Sequence, residues 1–160
     1  MPLRGAIAAV LLLPFLGAAA AAESPGPGPA STGILVATIG TLSAKEKEAL
    51  AFRRLQTELM VAALSCGRHE YRSKYNTFVL RYRPALRRNG RTLHAIFKRS
   101  FGNSGKRRLE GYVTRLANEA SVRSMQQSEF CAAAGRKLDA VLAASRSATA
   151  RGLLRRAQNH

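Results

Sequence analysis

The chain has few of the residues from which catalytic and metal sites are usually built. Its 160 residues include one aspartate, three histidines and two cysteines. A Ser/His/Asp triad would depend on that single aspartate, Asp139, and the sequence has no G-x-S-x-G motif to present a nucleophile. Zinc sites use four protein ligands, or three and a water, and only Cys66-Gly-Arg-His69 has a suitable spacing. We therefore expect no catalytic residues, no cofactor and no bound metal.

The sequence also lacks the patterns of dinucleotide-binding and β-sheet proteins. It has no G-x-G-x-x-G motif, no internal repeat and no long strand pattern. One β-branched run, ILVATI at 34–39, finds no partner strand elsewhere in the chain. We expect it to lie extended against the domain or to lengthen the first helix.

The first 22 residues have the composition of an export signal. Arg4 precedes an apolar run from Ala6 to Ala22, which ends in three alanines before Glu23. A membrane-spanning helix needs about 20 predominantly apolar residues. This run is shorter and contains Pro14, which favours a cleaved signal over an uncleaved N-terminal anchor. The protein is therefore predicted to be periplasmic or secreted, with no transmembrane helix after cleavage.

Composition divides the rest of the chain into three parts. Residues 23–40 are rich in Pro, Gly and Ser and are predicted to form a flexible leader. Residues 41–147 carry apolar side chains at helical spacing and form the predicted helical domain. Residues 148–160 are a basic C-terminal tail, for which the pattern leaves open a frayed helix or disorder.

The first helix of the domain has a start signal and a stop signal. Ser43 and Glu46 are three residues apart and predict a capping box, in which each side chain satisfies a free backbone N–H. Leu55 and Leu59 then belong to one apolar stripe. Gly67 is a natural end point, since glycine readily adopts the left-handed backbone found after helices.

Four further helices follow from the same spacing of apolar residues. Pro84 cannot donate a backbone hydrogen bond, so it kinks the second helix or opens the third. Asn103 or Ser104 is the expected cap of the fourth helix, and Ser128 of the fifth. The segments are about 70–82, Pro84 to Phe101, about 106–124, and from Ser128 through Leu142. The fold class is therefore an all-α bundle of four or five helices.

The two cysteines are predicted to form a disulfide between the first and last of these helices. Cys66 ends the first helix and Cys131 begins the fifth. An even number of cysteines in a small exported protein favours a bridge over two buried thiols. Such a bridge would stabilise the fold by about 4 kcal/mol.

Basic residues greatly outnumber acidic ones, and they are unevenly distributed. The chain has 26 Lys and Arg against nine Asp and Glu, and 20 of the basic residues are arginine. Removal of the signal would leave a net charge of +16. No acidic residue occurs between Tyr71 and Leu109, a stretch with 12 basic residues. A surplus of this size attracts anionic partners at long range.

The basic stretch contains the candidate binding residues. Arg87 and Arg91 are neighbours at i and i+4, where like charges repel unless an anion lies nearby. Nucleic acid is not expected, because the protein is predicted to be exported and Tyr82 and Phe97 belong to the apolar stripe. A merely solvated face is the alternative interpretation. The candidate anion-binding residues are Arg87, Arg88, Arg91, Lys98, Arg99, Lys106, Arg107 and Arg108.

Two glutamates border apolar stripes and are the remaining candidates for catalysis. Glu58 and Glu119 each lie three residues after a stripe leucine. Such placement could raise the pKa of a carboxyl group and create a general acid. A salt bridge to a neighbouring arginine, such as Arg123 for Glu119, is the favoured interpretation.

Several short segments within about residues 50–135 carry a family resemblance. They are LQTELMVAALSC at 55–66, YNTFV at 75–79, Arg83-Pro84, LANEAS at 116–121 and Phe130-Cys131. Together they resemble landmarks of a family of small exported bacterial helical proteins of unknown function. Some members carry an S-adenosylhomocysteine hydrolase label, but that enzyme requires a dinucleotide-binding fold that these 160 residues lack. No catalytic residues can be carried over from this resemblance.

These observations predict an exported, non-enzymatic helical protein. Its basic surface is expected to bind an anionic envelope component or an acidic protein partner, and its oligomeric state is left open. One alternative is an accessory or inhibitor protein whose charge is incidental. The other is a small envelope hydrolase that uses Glu58 or Glu119.

Overall fold

The computed structural model describes residues 41–159, and within this range the chain consists of helices joined by short turns, without a β-strand. The helices are α1 (Ala44–Ser65), α2 (His69–Arg81), α3 (Arg83–Phe101), α4 (Gly105–Gln126), α5 (Phe130–Leu142) and α6 (Ala150–Gln158), with a 3-10 turn at Gly102–Ser104. The predicted all-α bundle is therefore confirmed. The predicted signal (1–22), the leader (23–40) and the apolar run at 34–39 lie outside the described residues.

Local capping chemistry sets both ends of α1 as predicted. The backbone N–H of Glu46 donates to Ser43 Oγ at 3.3 Å, and the N–H of Ser43 donates to Glu46 Oε2 at 2.9 Å. Cys66 caps the other end, and Gly67 follows it with φ of +67°. A residue with a Cβ atom is strained in that left-handed conformation.

The expected side-chain caps of α4 and α5 are absent, for a shared physical reason. Ser104 precedes α4, but its hydroxyl donates to the Phe101 carbonyl at 2.9 Å. Glu129, not Ser128, precedes α5, and its side chain makes no capping bond. A capping side chain needs an extended backbone at the cap residue. Both of these residues are already in helical conformation, because the chain enters each helix from a tight turn.

The core lies around α1, which contributes to all three of its clusters. In the largest cluster, Phe52, Leu55 and Leu59 of α1 pack with residues of α2, α5 and α6. Ala49 and Leu50 pack against α3 and α4. The far end of α1 packs against α4 and α5 beside the cysteines. The central position of α1 follows from its apolar residues, which occupy more than one face.

The sequence suggested a separate C-terminal tail at 148–160. In the structure this segment forms α6 and belongs to the core. Thr149 caps α6 by accepting a hydrogen bond from the N–H of Gly152 at 3.3 Å. Leu153 is fully buried and Ala157 nearly so, both within the cluster that contains Phe52. This short i, i+4 stripe is sufficient to hold α6 in place, because it fills a cleft formed by the other helices.

The predicted disulfide joins Cys66, at the end of α1, to Cys131, in the first turn of α5. The two Cα atoms are 5.7 Å apart, and the bridge lies beside Ala62, Ala120 and Ala134. In the part of the chain that is described, no group of three or more His, Cys, Asp or Glu side chains is placed to hold a metal ion. None of the helices between residues 41 and 159 combines the length and apolar character of a membrane-spanning segment.

Candidate anion-binding surface

Helix α3 has one apolar face and one basic face. Its buried residues are Ala85, Asn89, Leu93, Ile96 and Phe97, which share one side of the helix. At 100° per residue, the opposite side carries five exposed residues at spacings of three and four. We call these residues, Arg83, Arg87, Arg91, His94 and Lys98, the basic row. The row extends for about 22 Å at a helical rise of about 1.5 Å per residue.

The charges of the basic row are not neutralised within residues 41–159. Its three arginines and its lysine make no ion pair with a carboxylate in that range. Six of the eight carboxylates in that range pair with other cations. The pairs are Glu46–Arg99, Glu48–Arg151, Glu58–Lys137, Glu58–Arg123, Glu119–Arg54, Glu70–Lys74 and Asp139–Lys74. The outer face of α3 therefore concentrates positive charge.

A close contact between α3 and α4 extends the row. A Cβ atom on Gly105 would lie 2.6 Å from the carbonyl oxygen of Phe97, so only glycine allows α4 to begin this near to α3. The tight turn brings Lys106 beside Lys98 and His94 around an open groove of about 330 Å³. The positive surface thus passes from α3 to the start of α4.

The eight residues predicted from the sequence are all exposed, but they do not form one site. Arg87, Arg91 and Lys98 belong to the basic row, and Lys106 adjoins it. Arg107 shares a shallow depression with Glu110. Arg88 lies to the side of the row. Arg99 and Arg108 have intramolecular partners.

Arg99 and Arg108 make contacts that hold helices together. Arg99 Nη1 donates to Glu46 Oε1 at 2.5 Å and so joins the end of α3 to the start of α1. This hydrogen bond, with those from Ser43, lowers the pKa of the Glu46 carboxyl from 4.5 to about 2. The guanidinium of Arg108 lies over the ring of Phe101, 5.6 Å from its centroid. We therefore assign both arginines to the structure of the bundle.

Sequence reasoning missed two members of the basic row, Arg83 and His94. The predicted third helix started at Pro84, whereas α3 starts at Arg83. Arg83 is therefore part of the helix and precedes Arg87 by four residues, and His94 follows Arg91 by three. The helical spacing itself was the signal that could have found them.

The two candidate catalytic glutamates connect helices. Lys137 Nζ donates to Glu58 Oε1 at 2.6 Å, and Arg123 Nη2 lies 3.7 Å from Glu58 Oε2. Arg54 Nη2 donates to Glu119 Oε2 at 3.1 Å. The predicted involvement in ion pairs is confirmed, although the arginine expected beside Glu119 contacts Glu58.

Two aromatic residues of the basic stretch, Tyr82 and Phe97, belong to the core, as predicted. Tyr82 and Phe97 are 1% and 0% exposed, respectively. Neither can serve as a stacking platform for bases. At these two positions the protein therefore offers no aromatic contact to a ligand.

Comparison with protein-family models, curated proteins and solved structures found no match for this chain. The resemblance to an exported helical family therefore stays a prediction. The geometry of the basic row is the main guide to function.

Proposed function

We propose that the protein is an exported, non-enzymatic helical protein that binds a phosphate-rich anionic component of the envelope through the basic row. The observation that carries this proposal is the row itself. Four permanent cations share one helix face and have no carboxylate partner within residues 41–159. Like charges at this spacing destabilise a helix by a few tenths of a kcal/mol per pair unless an anion compensates them.

The geometry of the row suits a ligand with repeated phosphate groups. Residues at i and i+4 are about 6 Å apart along a helix axis. Arginine forks match phosphate oxygens and form strong charge-assisted hydrogen bonds. Because α3 is already held by its buried face, little conformational entropy is lost on binding.

The apolar face of α3 is not available for insertion into a lipid bilayer. Leu93, Ile96 and Phe97 are buried against α1 and α4. Binding is therefore expected to occur by charge at the surface, where each basic residue contributes about 1 kcal/mol near an anionic membrane. Such binding weakens as salt screens the charges.

Two features support a location outside the cytoplasm. A disulfide is present between Cys66 and Cys131, and disulfides persist mainly in oxidising compartments. The first 22 residues have the composition of an export signal. Envelope phosphates would then be the accessible polyanions.

The test is binding of the oxidised protein to vesicles and to a soluble polymer. Three probes are used: neutral phosphatidylcholine vesicles, vesicles that also contain an anionic phospholipid, and long-chain inorganic polyphosphate. We expect salt-sensitive binding to at least one anionic probe and none to the neutral vesicles. The two anionic probes distinguish a lipid surface from a linear polymer.

A charge-matched pair of variants assigns the binding to the row. The triple variant Arg83→Gln, Arg87→Gln, Lys98→Gln should bind about 100-fold more weakly, at about 1 kcal/mol per charge. The control, Lys47→Gln, Arg68→Gln, Arg72→Gln, removes the same charges from exposed positions elsewhere. Equal weakening by both triples would mean that net charge alone matters. Absence of binding to both anionic probes would refute the proposal.

A further inference from the structure

A second groove lies where α1, α3 and α6 meet, and it differs in construction from the basic row. Its volume is about 680 Å³. The first turn of α1, the middle of α3 and the first turn of α6 form its walls. The groove exists because the C-terminal helix packs into the core through Leu153.

Positive charge predominates in this groove. Lys45, Arg88, Arg91 and Arg151 line it, and Glu48 is the one carboxylate that residues 41–159 contribute. Arg151 Nε donates to Glu48 at 2.8 Å, which uses both of those groups. The other three cations make no ion pair among residues 41–159. A dianion would compensate most of this excess.

The floor of the groove is small and apolar, with one buried polar side chain. Ala49 and Ala85 are buried and leave space above them. Asn89 is 6% exposed, and its Nδ2 donates to the Ala49 carbonyl at 3.2 Å. This bond orients the amide, so that Oδ1 stays an acceptor without a hydrogen-bond donor in the described part of the chain. A hydroxyl group of a ligand could supply that donor.

We infer that this groove binds a small phosphate monoester of a hydroxylated molecule. Lys45, Arg88 and Arg91 hold the phosphate, and Asn89 accepts a hydrogen bond from a ligand hydroxyl. A phosphate monoester fits better than a monocarboxylate, because it carries about two negative charges and offers three oxygens to guanidinium forks. This site goes beyond the proposed binding of a polyanion, since α1 and α6 contribute to it and Arg83, Arg87 and Lys98 do not line it.

The direct test uses glycerol 3-phosphate as ligand, with glycerol and inorganic phosphate as partial probes. Calorimetry of the full oxidised protein should show saturable binding of one glycerol 3-phosphate, weaker binding of phosphate and none of glycerol. Amide NMR shifts should centre on Lys45, Arg88 and Thr92. No saturable binding, or shifts centred on the outer face of α3, would overturn the inference.

A neutral substitution can fill the groove without a change of charge. Thr92 lines the groove and donates to the carbonyl of Arg88 at 3.2 Å. Thr114 makes the same local bond to Glu110 at 3.1 Å on the exposed surface of α4. Thr92→Trp should weaken binding of glycerol 3-phosphate at least tenfold, by occlusion, whereas Thr114→Trp should leave it unchanged. Unchanged binding in folded Thr92→Trp would refute a site in this groove.

A pair of lysine variants provides a test that does not depend on tolerance of tryptophan. Lys45 lines the groove, whereas the exposed Lys47 does not. Loss of one charge-assisted contact should reduce affinity about tenfold in Lys45→Gln, and Lys47→Gln should bind as the wild type does. Equal effects of the two changes would contradict the assignment.

The two proposals can fail separately. Arg83→Gln, Arg87→Gln, Lys98→Gln should lose binding to the polyanion and keep binding to glycerol 3-phosphate. Lys45→Gln should weaken binding to glycerol 3-phosphate about tenfold and keep binding to the polyanion. Loss of both activities in both variants would show that a single diffuse charge effect explains all binding, and would overturn the separate groove site.

Discussion

The hydroxyl group of Tyr82 donates to the carbonyl oxygen of Val141 at 2.7 Å, and the carbonyl oxygen of Ala144 lies 2.9 Å from the same hydroxyl. Next to it, Arg81 Nη1 donates to the carbonyl of Leu142 at 2.5 Å. Val141 and Leu142 belong to the last turn of α5 and Ala144 follows it, in the region where helix carbonyls lack N–H partners four residues on. The end of α2 therefore caps the end of α5 inside the bundle.

Tyr82→Phe should reduce the free energy of unfolding by about 1–2 kcal/mol, because the buried hydrogen bond from the Tyr82 hydroxyl to the end of α5 is lost. Urea unfolding of the oxidised protein measures this loss. Tyr71→Phe, in α2, is a matched control, since the Tyr71 hydroxyl makes no hydrogen bond among residues 41–159. Equal losses in the two variants would show that the contacts of Tyr82 do not matter.

Gly105, at the start of α4, and Gly90, inside α3, should respond oppositely to alanine. A Cβ atom at Gly105 would meet the backbone of Phe97 at 2.6 Å, whereas one at Gly90 would meet no atom of the described residues within 4 Å. Gly105→Ala should cost about 1–3 kcal/mol through overpacking. Gly90→Ala should stabilise by about 0.5–1 kcal/mol, since glycine is unfavourable inside a helix. Thermal unfolding of both variants gives the sign of each change in stability. A Gly105→Ala protein as stable as the wild type would contradict the tight contact.

The main helices could be predicted because their signals are local. The capping box of Ser43 and Glu46, the glycine at 67 and the proline at 84 each act within a few residues. Helix α6 has a weaker sequence pattern than α1, because only Leu153 and Ala157 of its residues are buried. Its stability comes from a cleft lined by residues distant in the chain, such as Phe52 and Phe78.

The candidate surface was predicted in part, for a similar reason. Helical spacing places Arg87 and Arg91 on one exposed face without knowledge of the fold. The roles of other basic residues depend on distant partners: Arg99 pairs with Glu46, 53 residues away. The groove at Asn89 could not be predicted either, because it requires the tail to fold back onto α1 and α3.

Removal of the disulfide should lower stability by about 4 kcal/mol, because the unfolded chain regains the entropy of a long loop. Cys66 and Cys131 are 65 residues apart in sequence. The double variant Cys66→Ser, Cys131→Ser is compared with the oxidised wild type by urea unfolding. Reduction of the wild type should have a similar effect and add about two mass units. An unchanged mass after reduction, or full thiol labelling of the native protein, would mean that the bridge does not form.

The last prediction concerns acid and the contact between α1 and α3. Hydrogen bonds from Arg99 and then Ser43 hold the pKa of Glu46 at about 2, below its ordinary value of 4.5. A carboxyl group whose pKa is lowered by folding stabilises the protein above its unfolded pKa. That contribution is lost as the pH falls from about 4.5 to about 2. Wild-type stability should therefore decline across this window, and Glu46→Gln should decline less.

Two further variants separate this effect from general acid unfolding. Arg99→Gln removes the main cause of the lowered pKa and should flatten the same part of the pH profile. Glu110→Gln removes an exposed carboxylate that makes no ion pair among the described residues, and it should keep the wild-type decline. High salt should also flatten the wild-type profile, because more than half of the Arg99 side chain is exposed and its charge is screened. If Glu46→Gln and Glu110→Gln gave the same profile, the bond between Glu46 and Arg99 would not be the source of the acid sensitivity.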